Sequence, residues 1–321
     1  MTFGVQVAFL GPEASFTAEA ADRVAPGAER RAAPTIPHVF ELVRSGEAGI
    51  GIVPIENLIE GSVNVTLDQL AFGEPGVYIR GELLLPVSMN LLARPGVRLE
   101  EVARVRSHPQ GLAQCRGWLT ANLPDAALEA ATSTAEAARV VADEPDEAEQ
   151  PSAAISPQLA AERYGLSVLA RDIQDHPDNV TRFAVLGRRM AGPTGADKTS
   201  LVVFFGEDRP GLLLRILDEF ALRGINLTKI ESRPAKTTMG EYCILIDCEG
   251  HPSESRVGEA LRSVHRHVAE LKILGAYPRA DALPPKVGPS DTDYAYAEAQ
   301  DWYRRVLTDV DGATDSPEAA D

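Results

Sequence analysis

The stretch AGIGIVPIENLIEGSVNVTLDQL, residues 48–70, changes its hydrophobic period half-way along and so decides the fold class. Ala48 to Val53 is an apolar run of strand length, and Pro54-Ile55-Glu56-Asn57 reads as the loop that ends it. Val63, Thr66, Leu67 and Leu70 then fall at i, i+3, i+4 and i+7 on one helix face. Ser62 stands where the N-cap of that helix belongs. The alternation extends in both directions. Val5, Val7 and Phe9 form one face of a first strand ending at Gly11-Pro12, and later helix starts are marked by Ser107-His108-Pro109, the capping box Ser133 to Glu136, and Ser156-Pro157. The pattern predicts an α/β domain over residues 1–187, with helices flanking a largely parallel sheet. Its acidic segment Asp143 to Pro151 reads as a surface loop.

Residues 188–198 lose periodicity and gain glycine, which marks a linker. From 199 to 278 the order becomes strand, helix, strand, strand, helix, strand, an α+β ferredoxin-like βαββαβ module. Its helices carry Leu213, Ile216, Leu217 and Phe220 in one case and Val257, Leu261, Val264 and Val268 in the other. Residues 279–321 form a C-terminal segment rich in Pro, Asp and Ala, with one helix expected from Thr292 to Val310 and a disordered acidic tail.

A length of 321 residues suits two domains of about 150 residues each. The net charge of −16, with no Lys/Arg cluster, makes nucleic acid and anionic membrane poor partners. Cys115, Cys243 and Cys248 lie scattered, which argues against a disulfide framework, and no apolar run approaches the length of a spanning helix. A cytoplasmic protein that handles a small molecule is expected. His265 and His267 point to different helix faces, so no metal is expected. No Gly-rich nucleotide fingerprint is present, so no cofactor is expected.

Five ordered motifs remain: Gly11-Pro12-Glu13-Ala14-Ser15-Phe16-Thr17; Pro54 to Asn57; Gly61-Ser62; Ser107-His108-Pro109-Gln110 with Gln114-Cys115; and Asn179-Val180-Thr181-Arg182-Phe183. Together they resemble the prephenate dehydratase family. The later module, with Pro210-Gly211-Leu212-Leu213 and Glu231-Ser232-Arg233-Pro234, resembles that family's ACT regulatory domain. The resemblance implies a two-lobed α/β catalytic domain of periplasmic-binding-protein type, with a crossing after Gly76 and a return near Ile173. The implied reaction converts prephenate to phenylpyruvate with loss of CO2 and water. Feedback inhibition by L-phenylalanine in a homodimer or homotetramer is implied too. The chain starts at the catalytic-type strand, so the single-activity form is expected. Arogenate dehydratase, which meets an amine where prephenate has a ketone, and a non-catalytic amino-acid-sensing protein are the rival readings.

Prephenate carries two carboxylates, a ketone and a ring hydroxyl, so its site needs anion receptors, a donor to the departing hydroxyl and an apolar place for the ring. By the resemblance, Thr181 is that donor. Taken alone, it is a strand threonine making a cross-strand contact. Asn57 can donate to a carboxylate or ketone, whereas Glu56 beside an anion must be protonated, hydrogen-bonded or turned away. Ser107 and Gln114 are expected to support the site, with Gln110 and Gln114 on one helix face. Gly11, Ser15, Thr17 and Ser62 are the expected substrate-binding groups of turns and helix mouths. Arg182 has two readings, a bidentate clamp on a substrate carboxylate or an ion pair with Asp175 or Asp178. Phe183 shapes the pocket or packs in the core. Arg209, Pro210, Gly211, Leu212, Leu213, Asn226, Glu231, Ser232, Arg233 and Pro234 are the expected effector-binding set. Ala14-Ser15 departs from the family's usual glycine-threonine, and Leu212 replaces its usual alanine.

Overall fold

The computed structural model describes residues 6–145, 150–206, 209–236, 238–239 and 241–311. Val5, residues 146–149 of the acidic loop and the tail 312–321 lie outside the described residues. The chain divides into two compact units, Met1–Arg189 and Met190–Asp321.

The first unit opens with β1 (Val7–Leu10), α1 (Phe16–Val24), β2 (Arg30–Ala33), α2 (Ile36–Ser45), β3 (Ile50–Asn57), the two-residue β4 (Gly61–Ser62), α3 (Asn64–Phe72) and β5 (Tyr78–Pro86). The chain then crosses through residues 87–89 to a second lobe of β6 (Asn90–Ala93), β7 (Arg104–Ser107), α4 (Pro109–Gln114), α5 (Arg116–Asn122), β8 (Ala127–Ala130), α6 (Thr134–Ala142), β9 (Ser152–Ser156), α7 (Gln158–Tyr164) and β10 (Ser167–Ala170). It returns with β11 (Val180–Gly187). The first lobe's sheet runs β5-β11-β3-β1-β2 with β4 beside β3, and the second runs β10-β6-β9-β7-β8.

Both sheets are mixed rather than largely parallel. β1 pairs parallel with β2 and β3, but the returning β11 is antiparallel to β3 and β5, and β6 is antiparallel to β9 and β10. The strands that carry the chain between lobes therefore break the parallel order. Each lobe has its own apolar centre. Val7, Phe9, Ala18, Ile52, Leu85 and Phe183 fill the first, while Leu91, Val105, Leu119, Ile155 and Ile173 belong to the second.

Local chemistry moved several expected boundaries. Pro54-Ile55-Glu56-Asn57 is not a loop but the second half of β3. Pro54 lacks an N–H, yet β1 pairing ends at Ile52 and β4 pairing starts at Glu56, so the proline falls between the two neighbours on that side. On the other side the β11 register shifts between Arg182 and Phe183, opposite the proline. Ser62 lies in β4, and Val63 rather than Ser62 is the N-cap of α3, held by its N–H to the Ile55 carbonyl at 2.9 Å. Ser107 and Ser156 likewise end strands, because the following His108 and Pro157 take the cap positions. Ser133 does cap α6, accepting from the Glu136 N–H at 3.0 Å, while the Glu136 carboxylate turns to Arg139.

The second unit is built from β12 (Asp197–Phe204), α8 (Leu212–Ala221), β13 (Leu227–Pro234), β14 (Tyr242–Glu249), α9 (Ser255–His265) and β15 (Glu270–Pro278), antiparallel in the order β13-β14-β12-β15. β12 thus takes in the last two residues of the expected linker. Ile216 and Phe220 of α8 and Val257 and Val264 of α9 pack on Leu201, Val203 and Ile246 of the sheet. A last helix, α10 (Asp293–Asp311), follows where one was expected, and the Asp293 carboxylate accepts the Ser255 N–H at 2.7 Å, capping α9. Among the described residues no helix is long and apolar enough to cross a membrane.

Candidate active site

Antiparallel pairing of β3 with β11 sets Thr181 directly opposite Asn57, residues 124 apart in the chain. The Asn57 carboxamide oxygen accepts the backbone N–H groups of Ile59 (3.0 Å) and Glu60 (3.1 Å), which fixes the orientation of the amide. Its Nδ2 therefore faces Thr181 and donates to the hydroxyl at 2.9 Å. With that lone pair occupied, the Thr181 O–H is left to donate, and Thr181 lines a cavity of about 480 Å³.

The opposite wall comes from α4 of the second lobe. Gln110 and Gln114, one turn apart, both donate through Nε2 to the Glu60 carboxylate at 3.2 Å. Gln114 Oε1 in turn accepts from Asn179 Nδ2 at 3.2 Å. Asn179 is buried where the chain returns to the first lobe, and its carbonyl accepts the Val87 N–H of the outgoing strand at 2.8 Å. Both crossings thus meet at the cavity floor. Phe16, Val63, Val87 and Met89 give the cavity an apolar side, while Ser62, His108, Ser133 and Thr134 add polar groups. The His108 Nδ1 accepts the Gln110 N–H at 3.3 Å, so that nitrogen is engaged in capping α4.

Other expected site residues lie elsewhere. Arg182 and Glu56 occupy the ladder position next to Thr181 and Asn57 and project to the other face by strand alternation. Arg182 donates to Glu82 at 2.7 Å and to Glu56 at 3.3 Å, so its partners are neither Asp175 nor Asp178. Asp175 instead accepts the Gly117 and Trp118 N–H groups at the start of α5. Phe183 is a core residue against Phe9 and Leu85. Ser107 is fully buried and donates to the Ile155 carbonyl at 2.8 Å, which ties β7 to β9 beneath α4. Gly11 donates its N–H to Ala33, Ser15 caps α1 through the Ala18 N–H, and Thr17 is buried. These turn residues place α1 so that Phe16 reaches the cavity. Ala14 adopts φ 70, the left-handed conformation that suits the glycine usual at that position.

Glu60, Met89, Val87 and Thr134 are site residues that sequence reasoning missed. Gln110 and Gln114 at helical spacing offered one signal, since two amides on one face ask for a common acceptor.

In the second unit, Gly211 has φ 84 and is the N-cap of α8. Beside it Arg209, Pro210, Leu212, Arg215, Arg266 and His267 line a cavity of about 560 Å³. Leu213 is exposed just inside the helix. Glu231, Ser232, Arg233 and Pro234 lie on β13, the edge strand, where Glu231 takes ion pairs at 3.3 Å from both Lys229 and Arg233. Asn226 donates to Glu249 at 3.3 Å. Among the described residues, none of Glu231 to Pro234 lines the cavity beside Gly211.

Residues 7–191 match the prephenate dehydratase family and residues 199–266 match the ACT domain. This chain belongs to the prephenate dehydratase family. A prephenate dehydratase of Amycolatopsis methanolica is 42% identical over 94% of this chain and 97% of its own length. The crystal structure of a prephenate dehydratase in complex with L-Phe from Arthrobacter aurescens, 43% identical, superposes with a TM-score of 0.87 over 95% of this chain and all of the other. A structure described as a quorum quenching acylase, 29% identical, gives a TM-score of 0.76 over 85% of this chain and 97% of its own. As a member of the prephenate dehydratase family, this chain is a lyase with a two-lobed catalytic unit and an ACT domain, connected with phenylalanine biosynthesis and its allosteric regulation.

Proposed function

We propose that this chain converts prephenate to phenylpyruvate, CO2 and water as a cytoplasmic homodimer or homotetramer, and that L-phenylalanine inhibits it through the ACT domain. The observation that carries the catalytic reading is the Asn57 to Thr181 hydrogen bond at the mouth of a half-apolar, half-amide cavity. Cleavage of the bond to the ring carboxylate releases CO2 and leaves its electron pair in the ring. That pair completes the aromatic system and expels the ring hydroxyl, which takes up one proton to leave as water. Thr181, held as a donor by Asn57, directs a hydrogen bond at the departing oxygen, where negative charge builds up in the transition state. The partner of Thr181 is an amide donor rather than a base, so the hydroxyl is set up to donate rather than to act as a nucleophile. The apolar wall takes the ring, and amide donors with polar helix-mouth groups take the carboxylates.

For regulation, Gly211 at the mouth of α8 lets a small zwitterion approach the helix N–H groups, and the Glu231 to Pro234 strand of a second subunit supplies the other wall. The separation of the two motifs within one chain supports a shared site. Phenylpyruvate formation from prephenate, read by its absorbance in alkali with and without L-phenylalanine, tests both parts. Turnover that phenylalanine suppresses is the expected result, and no turnover by folded protein overturns the catalytic reading.

A further inference from the structure

α10 leaves its support after its first turn. Thr292, Ala295 and Tyr296 are half-buried where the helix starts beside α9, but every residue from Ala297 to Thr308 is exposed. The face those three share does not end there. At helical spacing it runs on as Ala299, Trp302, Tyr303, Val306 and Leu307. Trp302 is 59% exposed, Tyr303 53% and Leu307 45%. A single helix of this length is marginal in water and draws its stability from packing of its apolar face, so a stripe that no other described element covers calls for a partner. The opposite side carries Glu298 and Asp301 with Arg304 and Arg305, a balance of signs that does not suit an anionic membrane.

We infer that α10 pairs antiparallel with α10 of a second copy of this chain. The stripe is complementary to itself under a two-fold axis, the operator of an isologous contact. Ala299, Trp302 and Val306 follow one another at 3 and 4 residues, the spacing of a two-helix seam. Antiparallel pairing centred near Asp301 sets each Trp302 over the small Ala299 of the other copy. Glu298 and Arg305, seven residues apart, flank the seam on one side. The same pairing brings Glu298 of each copy to Arg305 of the other, so opposite charges meet twice. Among the described residues neither of the two has an ion-pair partner, whereas the neighbouring Arg304 is already held by Asp301 at 2.8 Å. In a parallel pair the flank of Glu298 meets that of Tyr303 instead, and the charge stays unmatched.

The inference names one contact of the oligomer proposed above. Its test is acrylamide quenching of Trp302 in the full-length chain over a dilution series, with Trp118→Phe as the background that leaves Trp302 as the one tryptophan. Trp302 should be shielded in the otherwise wild-type chain. Glu298→Arg or Arg305→Glu sets like charges against each other at both symmetric positions, and should raise the concentration needed to shield Trp302 about tenfold or more. The double reversal, or the two single variants co-expressed, brings opposite charges together again and should restore the shielding. The proposal is overturned if Trp302 is as accessible in wild type as in the single variants, or if the single variants stay as shielded as wild type. It is overturned too if the double reversal fails to restore shielding, as it would if α10 docks on a different protein. Sedimentation equilibrium on the same samples reports the oligomer itself. A monomer at every concentration overturns the oligomer proposed above as well, whereas an oligomer with an open Trp302 overturns this contact alone.

Discussion

Asn57 donates to the Thr181 hydroxyl at 2.9 Å while its own oxygen holds the N–H groups of Ile59 and Glu60. One side chain therefore positions both the donor of the proposed reaction and the acidic turn facing it. Thr181→Ala should lower kcat by about 10²–10⁴-fold with little change in KM, and Thr181→Ser should recover part of the loss. Asn57→Ala should lower kcat as well, because the hydroxyl loses its fixed orientation and the turn loses its acceptor. Steady-state kinetics on the three variants decide it, and a near-normal kcat for Thr181→Ala removes that residue from the mechanism.

Much of this arrangement was legible in the chain. The period change at residues 48–70, the serine cap at Ser133, and the βαββαβ order all reflect local propensities that tertiary packing left in place. The partners across the cleft were not legible. Glu60 looks like a turn residue until α4 of the other lobe is brought to it, and Arg182 looks like an anion clamp until β5 places Glu82 beside it. Pro54 was misleading because a proline interrupts a strand only where the neighbour on the side of its missing N–H needs that donor, and Pro54 falls between the β1 and β4 pairings.

Arg182 and Glu82 make an ion pair at 2.7 Å in which the carboxylate side chain is 4% exposed and the guanidinium 11%. Removing Arg182 takes this cation from beside a carboxylate that is almost fully buried. Arg182→Ala should therefore cost about 3 kcal/mol of stability in urea unfolding. If Arg182 clamps substrate instead, the loss should appear in KM with the unfolding midpoint unchanged.

The regulatory reading predicts linkage. L-phenylalanine at about 100 times its Kd should add about 2.7 kcal/mol to the unfolding free energy of the unit that binds it. Gly211→Val puts a β-branched residue at φ 84 and closes the mouth of α8, so it should abolish both this stabilisation and the inhibition. Thermal scans with and without the ligand check the first, and inhibition curves check the second. A wild-type protein with no thermal shift at saturating ligand contradicts the effector assignment.

Burial pushes the thiols of Cys115 and Cys248 up to about 12, with Asp175 adding to the shift at the first and Asp247 at the second. In the unfolded chain both titrate near the ordinary value of 9.0. Above that pH the unfolded state releases thiol protons that the native state still holds. It then binds fewer protons than the native state, so the slope of unfolding free energy against pH is negative. The stability associated with these neutral thiols is complete below pH 9.0 and declines as pH rises towards 12. Urea midpoints measured across the alkaline range should fall for wild type and fall less steeply for Cys248→Ala. At pH about 8, below the ordinary thiol range, neither thiol should react with Ellman's reagent until urea unfolds the chain. Rapid labelling of the native protein at either position, traced by peptide mapping, would contradict the burial that raises both values.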